Sequence, residues 1–221
     1  MSTLCVFDVN ETLLDMSALD PLFERTFGDA ALRPAWFQQM LQLALVSIVT
    51  DAYSDFATLG GAALEMLAAR RAVTLTDSDR QRLRQGMTSL PAHPDARPAL
   101  ERLRDGGVRL ATLTNSTEEV VEAQLARAGL RDLFEAALSA DTVRRLKPAP
   151  EPYRMAAERL GVELGDLHLV AAHAWDVAGA QRAGARAAFI ARPGMVLDPL
   201  APRPDIVVDD LRGLAEHLTP R

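Results

Sequence analysis

Apolar and polar positions divide this chain into two kinds of territory. From about residue 92 onward, short apolar runs alternate with segments whose hydrophobic residues recur every three or four positions. These are the periods of buried strands and amphipathic helices. The spacing predicts strands over 108–114, 136–139, 168–172, 187–190 and 206–208, and helices over 98–104, 117–128, 152–160, 176–183 and 211–218. Gly129, Gly161 and Gly184 stand just past three of those helices, where a left-handed residue closes a helix. One more apolar run, Leu4-Cys5-Val6-Phe7, opens the chain and predicts a buried first strand. This rhythm belongs to an α/β protein with a parallel sheet covered by helices on both faces.

Residues 15–91 break the rhythm. They carry long helical patterns over 19–27, 34–49, 55–70 and 77–86, with no strand pattern of comparable quality among them. The expected organisation is a core of 1–14 and 92–221, with 15–91 inserted after the first strand as an α-helical cap. Such an insertion rises from the carboxyl end of the first strand and can close over it, excluding water.

Composition narrows the functional classes. Of 221 residues, 48% are hydrophobic and 24% charged, ordinary for a soluble globular protein. A net charge of −6 and a pI near 5.3 leave no basic footprint for nucleic acid. The longest apolar run, 43–49, is far too short to cross a bilayer. The first strand begins within three residues of Met1, leaving no room for a signal peptide, and the expected location is the cytoplasm. The lone Cys5 sits in that strand as a small buried hydrophobe and can support no disulfide framework or cysteine zinc cluster.

Candidate chemistry gathers where the strands end. Asp8 and Thr12 follow the first strand, and Thr114-Asn115-Ser116 the second. Lys147-Pro148 and Tyr153 come next, then His173-Ala174-Trp175-Asp176. In an open parallel sheet, ligands bind at the carboxyl ends of the strands. Each group alone has a bland reading: Thr114-Asn115 as a helix cap, Lys147 as a loop lysine. Their order and spacing together point to an active site.

With Phe7-Asp8-x-x-x-Thr12-Leu13, Thr114-Asn115, Lys147-Pro148 and Asp176, the chain resembles the haloacid dehalogenase superfamily, with its Rossmann-like fold. It resembles in particular the L-2-haloacid dehalogenases, through Trp36, Tyr53-x-x-Phe56, Ala128-Gly129-Leu130-Arg131-Asp132, Tyr153 and Ala174-Trp175-Asp176. The resemblance implies hydrolytic dehalogenation of small 2-haloalkanoic acids. Asp8 attacks the halogen-bearing carbon, and water then hydrolyses the resulting aspartyl ester. It implies that Lys147 keeps Asp8 ionised and offsets the substrate's carboxylate, while Thr12 and Thr114 donate hydrogen bonds. Asp176 would orient Lys147 and help activate the water. Asn115, Phe56 and Trp175 would form the halide and side-chain pocket, with Asn10, Phe37, Tyr153 and His173 also lining the site. It further implies a homodimer, joined through the apolar 41–49 segment, and no metal or other cofactor.

Two alternatives remain open at this point. Phosphatases of the same superfamily place a second Asp two residues after the nucleophile to protonate a leaving alcohol. This chain has Asn10 there, an amide that donates no such proton, and halide needs none. Those enzymes also carry an acidic residue shortly before the last Asp, where this chain has Ala172 and His173. Mg²⁺ belongs only to that phosphatase reading. The other alternative is a binding protein that has lost turnover.

The chain departs from the dehalogenase pattern in three places. Phe37 replaces an arginine that accepts the departing halide. By analogy with one lost oxyanion donor, that substitution costs roughly 2.7–4 kcal/mol unless another group compensates. Arg33, one helical turn earlier, reads first as a surface arginine. Ala171 and His173 replace a serine and an asparagine, and Asn10 replaces an aromatic. His173 reads as a site residue, whereas His93 and His168 read as structural. Trp36 and Met40 read as helix packing, and residues 80–84 as a solvated face.

Overall fold

The computed structural model describes residues 3–219. Its centre is β1 (Leu4–Phe7), whose four residues are all buried. Cys5 and Phe7 pack into one hydrophobic cluster and Leu4 and Val6 into another, so β1 is covered on both faces. That is why the strand reads as an unbroken apolar run rather than an alternating one.

After β1 the chain enters a helical stretch: α1 (Asp20–Phe27), α2 (Leu32–Val49), α3 (Phe56–Arg71) and α4 (Asp77–Met87). The last two have built-in starts. Asp55 caps α3 by accepting from the Thr58 N–H, and Thr76 and Asp79 form a reciprocal capping box on α4. Helices α2 and α3 meet at Gly60, whose carbonyl accepts from the Trp36 indole N–H at 2.9 Å. A Cβ on Gly60 would lie 3.0 Å from the Met40 sulfur, so glycine permits this approach. Departure and return of the chain coincide. Leu14 bridges Ala92, the Asp15 N–H donates to the Pro91 carbonyl, and the His93 N–H donates to that of Leu13.

The remainder alternates as its pattern predicts: α5 (Ala96–Asp105), β2 (Arg109–Thr114), α6 (Glu118–Arg127), β3 (Ala136–Ser139), α7 (Pro150–Leu160), β4 (Leu167–Ala171), α8 (Ala174–Ala183), β5 (Arg186–Ile190), β6 (Ile206–Val208) and α9 (Leu211–Leu218). All strand pairs are parallel, in the order β3-β2-β1-β4-β5-β6. Helices α5, α6 and α9 contribute to one cluster and α7 and α8 to the other, giving the α/β sandwich with helices on both faces.

Strand order reverses at β1. From there the chain builds outward to β2 and β3, then crosses back to β4 on the other side. That reversal opens a crevice beyond the carboxyl ends of β1 and β4, the usual place for a ligand in this architecture. Asp8 directly follows β1, and His173 and Asp176 follow β4.

Candidate active site

The strand order brings residues far apart in the chain onto one carboxylate. The Asp8 N–H continues the sheet ladder to the Val170 carbonyl, which fixes where its side chain emerges. Thr12 donates to Asp8 Oδ2 at 2.9 Å and accepts from the Ala172 N–H at 3.0 Å, tying the loop after β1 to the end of β4. Arg192 supports that loop from below, donating to the Thr12 carbonyl and pairing with Asp95.

Lys147 is fully buried, and each of its three ammonium hydrogens has a partner. Its Nζ lies 3.0 Å from Asp8 Oδ1, 2.5 Å from Asp176 Oδ2 and 2.8 Å from the Leu113 carbonyl. Asn115 holds this lysine by its backbone, accepting from the Lys147 N–H and donating to its carbonyl. Tyr153 donates to Asp176 Oδ1 at 2.6 Å. Helix α8 comes this near only because residue 179 is glycine: a Cβ there would lie 2.5 Å from Pro148 and 2.8 Å from the Tyr153 hydroxyl.

His173 closes the opposite side. Its Nδ1 lies 3.0 Å from Asp8 Oδ2 and its Nε2 2.9 Å from Glu11 Oε2. Glu11 adopts φ 61°, in the left-handed region that few non-glycine residues occupy, and its other oxygen takes Arg33 at 3.2 Å. The His173 ring is packed by Phe37 and Trp175, with centroids 5.7 and 5.2 Å away. Arg33 is therefore not the surface residue its sequence position suggests. It is 13% exposed and paired with both Glu11 and Asp20.

Electrostatics follow from these contacts. Burial alone would raise the Asp8 pKa, but the Lys147 and His173 charges outweigh it and hold the carboxyl well below its usual range. Burial would lower Lys147, yet Asp176 and Asp8 keep its ammonium above the ordinary lysine value. His173 is likewise buried, and its hydrogen bonds to Asp8 and Glu11 reverse the penalty and raise it to about 9. Asp176 is pushed upward by burial and by the Asp8 charge, against the pull of Lys147.

A cavity of about 10 Å³ lies over Asp8. Asp8, Lys147, Thr114 and Asn115 line it from the core, Asn10 and His173 from the loops after β1 and β4, Trp175 from the first turn of α8, and Phe37 and Phe56 from α2 and α3. All of these were marked by sequence. Beyond Phe56 lies a larger apolar cavity of about 430 Å³, between α2, α3, α4 and α6, walled by Trp36, Met40, Leu64 and Leu83.

Three expected site residues stand behind the cavity rather than on it. Thr12 contacts Asp8 from the rear. Tyr153, expected on the binding wall, is fully buried and faces Asp176. Asp176 itself is 0% exposed, with one oxygen taken by Lys147 and the other by Tyr153. It holds Lys147 in place from behind the cavity, each of its oxygens accepting one hydrogen bond. Asn10 does line the cavity, and its carbonyl oxygen accepts from the buried Gln124 amide at 3.1 Å. Sequence reasoning passed over Glu11, Gln124, Arg192 and Gly179. Only Glu11, inside the first motif, carried a local signal.

A divalent metal does not fit this donor set. The space between the Asp8 and Asp176 carboxylates holds the Lys147 ammonium, and the next side chain around Asp8 is the His173 imidazole, held protonated. Among the described residues, no group of three or more His, Cys, Asp or Glu is arranged to bind a metal ion. No helix among them is long and apolar enough to cross a membrane.

A family model described as a haloacid dehalogenase-like hydrolase matches residues 3–184. The chain belongs to that family. The hydrolase is 34% identical over 194 residues to an (S)-2-haloacid dehalogenase of Burkholderia cepacia, covering 86% of this chain and 83% of that protein. An (S)-2-haloacid dehalogenase of a Pseudomonas species is 29% identical, over 96% of this chain and 94% of its own length. The solved L-2-haloacid dehalogenase of Xanthobacter autotrophicus, with chloropropionic acid covalently bound, superposes with a TM-score of 0.92. It is 26% identical, covering 100% of this chain and 99% of that one. The match spans the helical stretch as well as the sheet.

Proposed function

We propose that this hydrolase removes halide from small 2-haloalkanoic acids through an ester on Asp8, with no metal or other cofactor. The observation that carries the reading is Asp8 itself. It is a carboxylate held ionised between two cations at the floor of a small cavity, with no acid at position 10 to protonate a leaving alcohol. The names of the relatives, and the covalent adduct in one of them, support the same chemistry.

In the first step an Asp8 oxygen attacks the carbon bearing the halogen, and the C–X bonding pair leaves as halide. Lys147 keeps the nucleophile charged and offsets the substrate's own carboxylate, so that two anions can meet. The Thr114 hydroxyl and the amino end of α6 face that carboxylate. Asn10, Asn115, Phe37, Phe56 and Trp175, with His173, form the wall against which the halide departs. In the second step water attacks the carboxyl carbon of the ester, frees the 2-hydroxy acid and restores Asp8. Asp176, Tyr153 and Thr12 hold the lysine and the nucleophile in place.

Residues 15–91 act as the cap over a core of 1–14 and 92–221, and the small cavity beneath it selects short acids. The active form is a cytoplasmic homodimer joined through α2, where Leu45, Val46 and Val49 are 47, 51 and 84% exposed. Light scattering tests the dimer. Halide release from chloroacetate and 2-chloropropionate, by wild type beside Asp8→Asn, tests the activity. Release by wild type alone is expected. Mg²⁺-dependent phosphate release from an aryl phosphate, with no halide from any haloacid, would contradict it.

A further inference from the structure

One polar group on the small cavity owes its orientation to the last turn of α4. The Met87 carbonyl there accepts from the Gln124 amide at 2.6 Å. A carbonyl can only accept, so it fixes which end of the Gln124 side chain is the NH₂. The second hydrogen of that NH₂ goes to Asn10, 3.1 Å away, where only the side-chain oxygen can take it. The Asn10 NH₂ is then the arm left for the cavity. It has no partner among the described groups, yet it is not sealed in the interior, because Asn10 lines the space over Asp8.

Gln124 accepts a cost to do this. It is fully buried on α6, and its own oxygen has no hydrogen-bond partner. Leaving a buried acceptor unpaired destabilises a fold, and packing alone would be met as well by leucine or methionine. An amide at 124 is explained by what its nitrogen holds: the end of α4 on one side and Asn10 on the other.

We propose that the Asn10 amide nitrogen donates a hydrogen bond to the departing halide, and that Gln124 is its positioning residue. The inference rests on the reading of Asp8 as the nucleophile that displaces halide. In that reading the other negative groups are already matched: Lys147 pairs with Asp8, and Thr114 and the amino end of α6 face the substrate's carboxylate. The rest of the wall has little to offer a leaving anion. Phe37 and Phe56 are apolar, and the Trp175 indole N–H is sealed off from open space. Both His173 nitrogens are spent on Asp8 and Glu11, and the Asn115 amide is engaged at both ends by the Lys147 backbone. As an Asp8 oxygen bonds to carbon, the C–X pair leaves as halide, and the growing charge is met by the Asn10 N–H. The amide keeps its proton, so it returns unchanged.

The test is a single turnover of 2-chloropropionate and of 2-bromopropionate, with enzyme in excess, read by halide release. Asn10→Asp keeps the size and the bond from Gln124 but puts a carboxylate oxygen where the NH₂ stood. At pH 8 it is expected to slow chloride release about 100-fold, as for loss of one donor to a developing anion. Bromide leaves more readily and leans less on a donor, so its release should slow less. At pH 5 the introduced carboxyl takes up a proton and donates as the amide did, so most of the loss should return. The charged groups that share the cavity, Asp8, Lys147 and His173, keep their charge over that range, and wild type should change little. Gln124→Leu, which leaves Asn10 in place but free to turn, should slow chloride release about tenfold, again more than bromide. It carries the test if Asn10→Asp does not fold. Wild-type rates in both variants, or a loss equal for the two halides at every pH, would overturn the assignment. If wild type itself releases no halide and gains no adduct mass, the nucleophile reading falls and this assignment with it.

Discussion

Asp8 sits between two cations, and the two sides are built differently. On one side Lys147 is sealed, with every donor matched by the core itself: Asp8, Asp176 and the Leu113 carbonyl. On the other, His173 lines the cavity and is supported by Glu11, which is 16% exposed at its side chain, and through it by Arg33 in the first turn of α2. A lysine so paired keeps its charge throughout and can only aim and stabilise. A histidine between two carboxylates loses one of its pairings when Asp8 becomes an ester. The Phe37 that stands where the resemblance implies an arginine packs against the histidine, not the lysine.

The comparison is broken most severely from the lysine side. Lys147→Met leaves the buried Asp8 and Asp176 carboxylates facing each other with no cation between them. Removing one partner of a buried pair costs about 3–5 kcal/mol. Denaturant unfolding should show that loss, and halide release should fall by roughly 100- to 1000-fold. An activity within tenfold of wild type would mean that the ammonium does not hold the nucleophile.

The histidine side is sharpened by pH. The His173 pKa is about 9 in the folded protein, against 6.5 for the free side chain. A raised value means that its stabilising contribution is complete below pH 6.5 and is lost as pH rises toward 9. That contribution is up to about 3 kcal/mol. Unfolding measured between pH 6.5 and 9 should show stability falling in wild type, and falling less in His173→Asn. Equal slopes would place the charge on some other group.

The smallest effect belongs to the roof. Phe56 alone lines both the 10 Å³ cavity over Asp8 and the 430 Å³ apolar cavity beyond it. Phe56→Ala should join them and shift the ratio of rates for a 2-haloacid with a long alkyl chain, over chloroacetate, by roughly tenfold toward the longer substrate. An unchanged ratio would show that chain length is selected elsewhere.

How much of this was legible beforehand follows from what a local pattern can carry. Leu4 to Phe7 announced β1 because a strand buried on both faces leaves no polar positions. The polar residues at successive strand ends announced the cavity because a parallel sheet delivers them to one edge. Helix ends were less distinct: the spacing placed a helix over 176–183, but α8 starts at Ala174, which puts Asp176 in its first turn. What escaped were relations between distant positions. Arg33 reads as a surface residue until Glu11, in a different element, is brought to it. Gly179 reads as an ordinary helix glycine until Pro148 and Tyr153 close upon it. Tyr153 shares a motif with the lysine, yet only packing decides that it faces Asp176 and not the substrate wall.

The central claim is that Asp8 oxygen, and not water, makes the first bond to carbon. A single turnover with enzyme in excess over 2-chloropropionate, run in water enriched in heavy oxygen, tests it most directly. The account predicts product lactate free of the heavy isotope, with the label appearing in the Asp8 carboxylate. Label in the product hydroxyl after that first turnover, with Asp8 unlabelled, would contradict it.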